Sequence, residues 1–274
     1  MFRCFKEALG LAYENLICIS PLILFMIVLT LYLGAAKTSV VNALSLCMSL
    51  LTLIVMFALF FSGWFYMIKM AVINARFSLI NLQKDFELLK VFPTGVADYF
   101  LTFIYFIFFS SIIIIFIYSM DYLIALKFIG KVEIELNLYN SIKDITTLRY
   151  LFADLTYEQI IKLSGWLFLF VVSTVIYSLF TLMWIPYLLF KTKNVLLALW
   201  YSIKDAFTSP KLITLLLSLI IINCLFAIIN AYIMLNPLIF FIMTILYIFF
   251  IVQMSMLIFL YYDKKYTYEH EDNG

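Results

Sequence analysis

Residues 191–212 read KTKNVLLALWYSIKDAFTSPKL and lie between two long apolar runs. The stretch is too polar to cross a bilayer and too apolar for a plain loop. At about 100° per residue, a helix from Val195 gathers Val195, Leu196, Leu199, Trp200, Ile203, Ala206 and Phe207 on one arc. Tyr201, Ser202, Lys204, Asp205 and Thr208 fill the opposite arc, with Leu197 the exception. Such a helix is expected to lie flat at a membrane surface, Lys204 and Asp205 in water.

The same design opens the chain. FRCFKEALGLAYENLICISPL at 2–22 sets Phe2, Phe5, Leu9, Ala12 and Leu16 against Arg3, Lys6, Glu7, Gly10 and Glu14. Aligning Ala8-Leu9 with Ala198-Leu199 places Asn15 opposite Asp205, each just before an apolar run. A third segment, NLQKDFELLKVFPTGVADYF at 81–100, carries Leu82, Phe86 and Leu89 on one side, with Asp85 intruding.

What lies between these segments is lipid-soluble. The 274 residues are 66% hydrophobic and only 12% charged, where a soluble domain has about 25% charged residues. Apolar runs long enough to span occur at 16–34, 40–68, 99–120, 165–190, 212–234 and 238–262. The first is too long for a secretory h-region, and Glu7 and Glu14 interrupt its basic flank, so it is expected to be retained as a span. Spans 1 and 2 are joined by GAAKTS and spans 5 and 6 by LNP, tight links that demand antiparallel hairpins. Spans 3 and 4 are separated by 121–163, which ends in Thr156-Tyr157-Glu158-Gln159, a capping-box pattern.

The expectation is an all-α integral membrane protein in a single transmembrane domain over 1–274. Six transmembrane helices form three hairpins, each preceded by an interfacial amphipathic helix, an arrangement that repeats internally. Twelve of the 18 basic residues fall in segments facing the termini. The positive-inside rule therefore places both termini in the cytoplasm and the protein in the inner membrane.

The run WIPYLLFKTKNVLLALWYSIKDAFTSPKLITLLL, with Pro186, Ala198, Leu199 and Ser202 at its marked positions, resembles the six-span bacterial YciC-like proteins. It also resembles the membrane domain attached to some glycerophosphodiester phosphodiesterases. Those enzymes carry their chemistry on a separate soluble barrel, so the resemblance implies a membrane module rather than a hydrolase.

No Asp, Glu, Lys, Arg or His falls near the middle of any apolar run, which argues against coupled transport and intramembrane catalysis. The lone His270 and scattered Cys4, Cys18, Cys47 and Cys224 make no metal-ligand pattern, and neither a metal nor another cofactor is expected. A net charge of +2 offers no patch for nucleic acid. Asn223, Gln253, Ser110, Ser111 and Ser178 form a candidate intramembrane polar cluster, with interhelical hydrogen bonding as the simpler role. Pro186 is a candidate hinge, or part of an aromatic belt with Trp184 and Tyr187. Lys84, Lys90, Lys191, Lys193, Lys204 and Lys211 are expected near the anionic inner leaflet. These features favour a non-enzymatic module that organises membrane lipids, or a cytoplasmic or membrane protein partner. The alternative is a transporter or permease subunit for an apolar or lipid-like substrate.

Overall fold

The computed structural model describes residues 2–39, 42–76, 84–131, 156–233 and 237–271. They form α1 (Phe2–Glu14), a 3-10 turn (Leu16–Cys18), α2 (Ile19–Ser39), α3 (Ala43–Arg76) and α4 (Lys84–Phe128). There follow α5 (Tyr157–Thr181), α6 (Trp184–Phe190), α7 (Val195–Thr208), α8 (Pro210–Ile233) and α9 (Pro237–Glu271). No strand occurs among the described residues. Six stretches are helical, long and apolar enough to cross a bilayer: Leu16–Ala36, Ala43–Ala75, Glu87–Phe128, Tyr157–Phe190, Pro210–Ile229 and Phe241–Tyr266. The chain is an all-α, multi-pass membrane protein.

The punctuation between helices is local chemistry. Asn42 and Ser45 cap α3 reciprocally: the Ser45 amide donates to Asn42 Oδ1 at 2.8 Å and the Asn42 amide to Ser45 Oγ at 3.1 Å. Thr156 and Gln159 make the expected capping box at α5, with the Thr156 amide donating to Gln159 Oε1 at 2.9 Å. Asn194 Oδ1 accepts from the amides of Leu196 and Leu197, starting α7. Pro210 then holds Ser209 extended at φ −124° and ψ 94°, and the chain restarts as α8.

Two of the longer helices depart from the sequence reading. The third surface segment is not a separate helix, because Lys84–Phe128 is one helix of 45 residues, about 68 Å long. Leu88, Gly95, Tyr99 and Phe103 are buried along one continuous face, and that packing carries the helix through Pro93. The last span likewise continues past residue 262 to Glu271. The fourth is broken instead: α5 ends at Thr181, Leu182 and Met183 form a turn, and α6 places Pro186 in its first turn, where a missing amide costs least.

The chain divides into two compact units. The first comprises Met1–Phe108 and Leu179–Gly274. Here α9 is the innermost span: 39% of its apolar window is buried, against 6–22% for the other five. It touches α1, α2, α3, α6 and α8. Phe65 stacks between Phe103 and Phe259, with ring centroids 6.1 and 6.0 Å away. Close approach of α3 and α4 needs two glycines. A Cβ on Gly95 would meet Tyr66 Cβ at 2.5 Å and the Ser62 carbonyl at 2.9 Å, while one on Gly63 would meet the Phe92 ring at 2.7 Å.

The second unit, Phe109–Ser178, holds parts of α4 and α5 joined by a polar seam. Ser110 and Tyr177 share a hydrogen bond of 2.7 Å, Tyr118 and Thr174 one of 2.9 Å. Ser173 Oγ donates to Asp121 Oδ1 at 2.8 Å, and Trp166 Nε1 to the Gly130 carbonyl at 3.2 Å. Gly130, at φ 89°, closes α4 in the left-handed conformation. Residues 132–155, most of the expected 121–163 segment, lie outside the described residues.

Candidate membrane-interface site

The densest polar assembly is built on α7, the helix of the opening stretch. Asp205 is expected in water, yet it is only 6% exposed. Its carboxylate accepts from Tyr187 Oη at 3.0 Å, Lys265 Nζ at 2.9 Å and the Tyr266 hydroxyl. The reversal has a simple cause: a lone carboxylate is costly to bury, but three convergent donors, one cationic, offset the desolvation. Tyr262 packs on the same group, 5.0 Å from Tyr187 and 4.8 Å from Tyr266. On α1, Glu7 pairs with Lys264, the neighbour of Lys265 on α9. The last span therefore ends in two adjacent lysines, one clamping α1 and the other α7.

The buried face of α7 is completed by Val195, Ala198, Ser202 and Ala206. Ser202 Oγ donates to the Phe180 carbonyl, and Trp184 Nε1 to the Val195 carbonyl at 2.8 Å. The bulky apolar residues face outward, with Leu196 54%, Trp200 62% and Phe207 76% exposed. Helix α1 is arranged alike: Ala8, Leu11, Ala12 and the following Asn15 are buried, while Leu9, Tyr13 and Leu16 are exposed.

The basic residues have distinct settings. Lys90, Lys191, Lys193, Lys204 and Lys211 are exposed, and the side chain of Lys84 lies outside the described residues. Lys191 Nζ sits 3.8 Å from the Tyr201 ring centroid. Lys193 donates to the Asp98 carbonyl at 3.2 Å and lies over Tyr99. Lys69, not singled out in the sequence, donates to the Leu189 carbonyl at 2.7 Å near the end of α6.

The candidate polar cluster is distributed. Asn223 is exposed and accepts from Tyr247 Oη at 3.3 Å. Gln253 is 5% exposed, and its Nε2 has no hydrogen-bond partner among the described residues. Asn223 and Gln253 are not bonded to each other. Ser110, Ser111 and Ser178 belong to the second unit. There Asp121 is 5% exposed, with Oδ2 unpartnered among the described residues.

Sequence reasoning missed the Asp205 hub. Its members come from three helices, and only the alignment of Asp205 with Asn15 hinted at a shared inward role. Chemically, the Asp205 carboxylate accepts three hydrogen bonds from two neighbouring helices, an arrangement suited to holding those helices together. Among the described residues, no group of three or more His, Cys, Asp or Glu side chains assembles. No family model matches the chain, and neither a curated protein nor a solved structure matches it.

Proposed function

We propose that this protein is a non-enzymatic six-span module that organises lipid, or a partner protein, at the inner leaflet of the cell membrane. The carrying observation is the pair of helices α1 and α7, whose buried faces include Ala8, Ala12, Ala198, Ser202 and Ala206 and which turn Leu9, Tyr13, Leu196, Trp200 and Phe207 outward. On α7 the exposed Leu196, Trp200 and Phe207 stand beside the exposed Lys204. An apolar wedge flanked by a cation suits the boundary between acyl chains and anionic headgroups. The charge distribution supports placing this basic end, and both termini, in the cytoplasm. An internal repeat is supported by the burial match between Ala8 and Ala198, Ala12 and Ser202, and Asn15 and Asp205.

Energy transfer from tryptophan to dansyl-labelled lipid, in phosphatidylethanolamine vesicles with a minority of phosphatidylglycerol, tests this reading. Transfer to an anionic probe should exceed transfer to a zwitterionic one. Replacing Lys90, Lys191, Lys193 and Lys204 by Gln should remove the difference. Equal transfer to both probes in the wild type would defeat the lipid-organising reading.

A second reading, a permease subunit for an apolar or lipid-like substrate, is favoured by one feature. An apolar cavity of about 660 Å³, lined by residues including Leu24, Phe25, Met56, Phe60, Leu89 and Phe92, opens between α2, α3 and α4. Flux of a lipid analogue across vesicles, lost on filling it with Leu24→Trp, would decide for that reading.

A further inference from the structure

A second cavity, of about 620 Å³, lies where α1, the start of α8 and the end of α9 meet. Its volume falls within the ~300–1,000 Å³ of small-molecule sites. Three lysines line it: Lys211, Lys264 and Lys265. Leu215 and Leu257, both buried, supply an apolar wall, and the hydroxyls of Ser209 and Tyr261 lie 3.1 Å apart on its surface.

The charge balance points to a ligand. Lys264 is paired with Glu7 and Lys265 with Asp205. Lys211 has no ion-pair partner among the described residues. Three cations against two carboxylates leave one positive charge, and the first residues of α8, Pro210 and Lys211, add the partial positive charge of a helix N-terminus. A monoanionic group bearing several acceptor oxygens and an apolar continuation matches these walls. A zwitterionic headgroup would bring a second cation to a cavity that already has a surplus.

We infer that this cavity holds the phosphodiester headgroup of an anionic phospholipid, with Lys211 as its uncompensated cation and the hydrogen-bonded Ser209–Tyr261 pair supplying its one remaining O–H as a donor. The inference rests on the proposal that this end of the protein meets a leaflet surface, and it gives that proposal one defined, stoichiometric lipid. It also gives a role to the exposed lysine that opens the fifth span, which no carboxylate among the described residues neutralises.

Native mass spectrometry of the full-length protein in detergent tests it, using phosphatidylglycerol and phosphatidylcholine of identical chains. The expected result is a one-to-one phosphatidylglycerol adduct exceeding the phosphatidylcholine adduct. Lys211→Gln should weaken it about five-fold, in keeping with one lysine–headgroup attraction, and Lys211→Arg should restore it. Lys162→Gln, which removes a cation already paired with Glu158, should change nothing. Equal adducts for the two lipids, or a Lys211→Gln adduct as strong as the wild type, would overturn the inference. Displacement of the lipid by sn-glycerol 3-phosphate at equal concentration would reassign the cavity to a soluble anion and equally overturn it. The vesicle experiment above reads a different set of lysines. Adducts sensitive to Lys211 without enrichment in vesicles would sink the general proposal and leave the cavity; the reverse would sink the cavity alone.

Discussion

Asp205 gathers three donors in an environment only 6% exposed, so the cost of losing it is larger than the bonds it makes. Asp205→Ala strands the Lys265 ammonium and two tyrosine hydroxyls. The expected destabilisation is about 3 kcal/mol, read as a lowered unfolding midpoint in detergent. Glu7→Gln is the contrasting case. The Glu7 and Lys264 side chains are 36% and 32% exposed, so solvent screens the pair and the loss should stay below about 1 kcal/mol. A comparable effect from both substitutions would show that Asp205 is not a structural hub. Gly95 sets a second residue-level limit. Only a Cα hydrogen fits against Tyr66 and the Ser62 carbonyl, so Gly95→Ala should force α3 and α4 apart at a cost of about 1–3 kcal/mol. Gly34→Ala meets nothing within 4 Å and should be neutral in the same assay.

At the scale of the element, α7 has three sectors rather than the two read from its sequence. Val195, Ala198, Ser202, Asp205 and Ala206 face the protein. Leu196, Trp200 and Phe207 form an outward apolar sector, and Lys204 and Thr208 an outward polar one. The wheel grouped Leu196, Trp200 and Phe207 as the structure does. It set Val195 and Ala206 opposite Ser202 and Asp205, which they join on the buried face, because amphipathicity alone does not say which arc meets the protein. Small side chains allow close approach, so the inward arc is the one rich in Ala and Ser. Spin labels at 200 and 207 should therefore collide more often with oxygen than with a water-soluble nickel chelate, and labels at 204 and 208 the reverse. Equal access at all four positions would remove α7 from the membrane surface. The break between α5 and α6 was legible from Pro186, whereas the continuity of α4 through Pro93 was not. One proline stands in a first turn after a break, and the other in the interior of a helix held by an uninterrupted buried stripe.

For the whole molecule, six helical stretches long and apolar enough to span predict both termini on one side, and the basic excess at that end predicts which side it is. In intact cells, a cysteine introduced at position 131 should react with a membrane-impermeant maleimide, and one at position 204 only after permeabilisation; the opposite pattern would invert the topology. The amino-acid sequence by itself determined the all-α class, six apolar stretches long enough to span and the Thr156–Gln159 capping box. These follow from composition, periodicity and near-neighbour hydrogen bonds, all of which act within a few residues. Only the tertiary structure decided that Asp205 lies inside, that the last span is the centre of its unit, and that Lys211, Lys264 and Lys265 share one cavity. Those facts depend on which distant residues arrive beside one another. A side chain such as Asp205 reads as wet until Tyr187, Lys265 and Tyr266, separated from it by up to 61 positions, supply the donors that let it be buried.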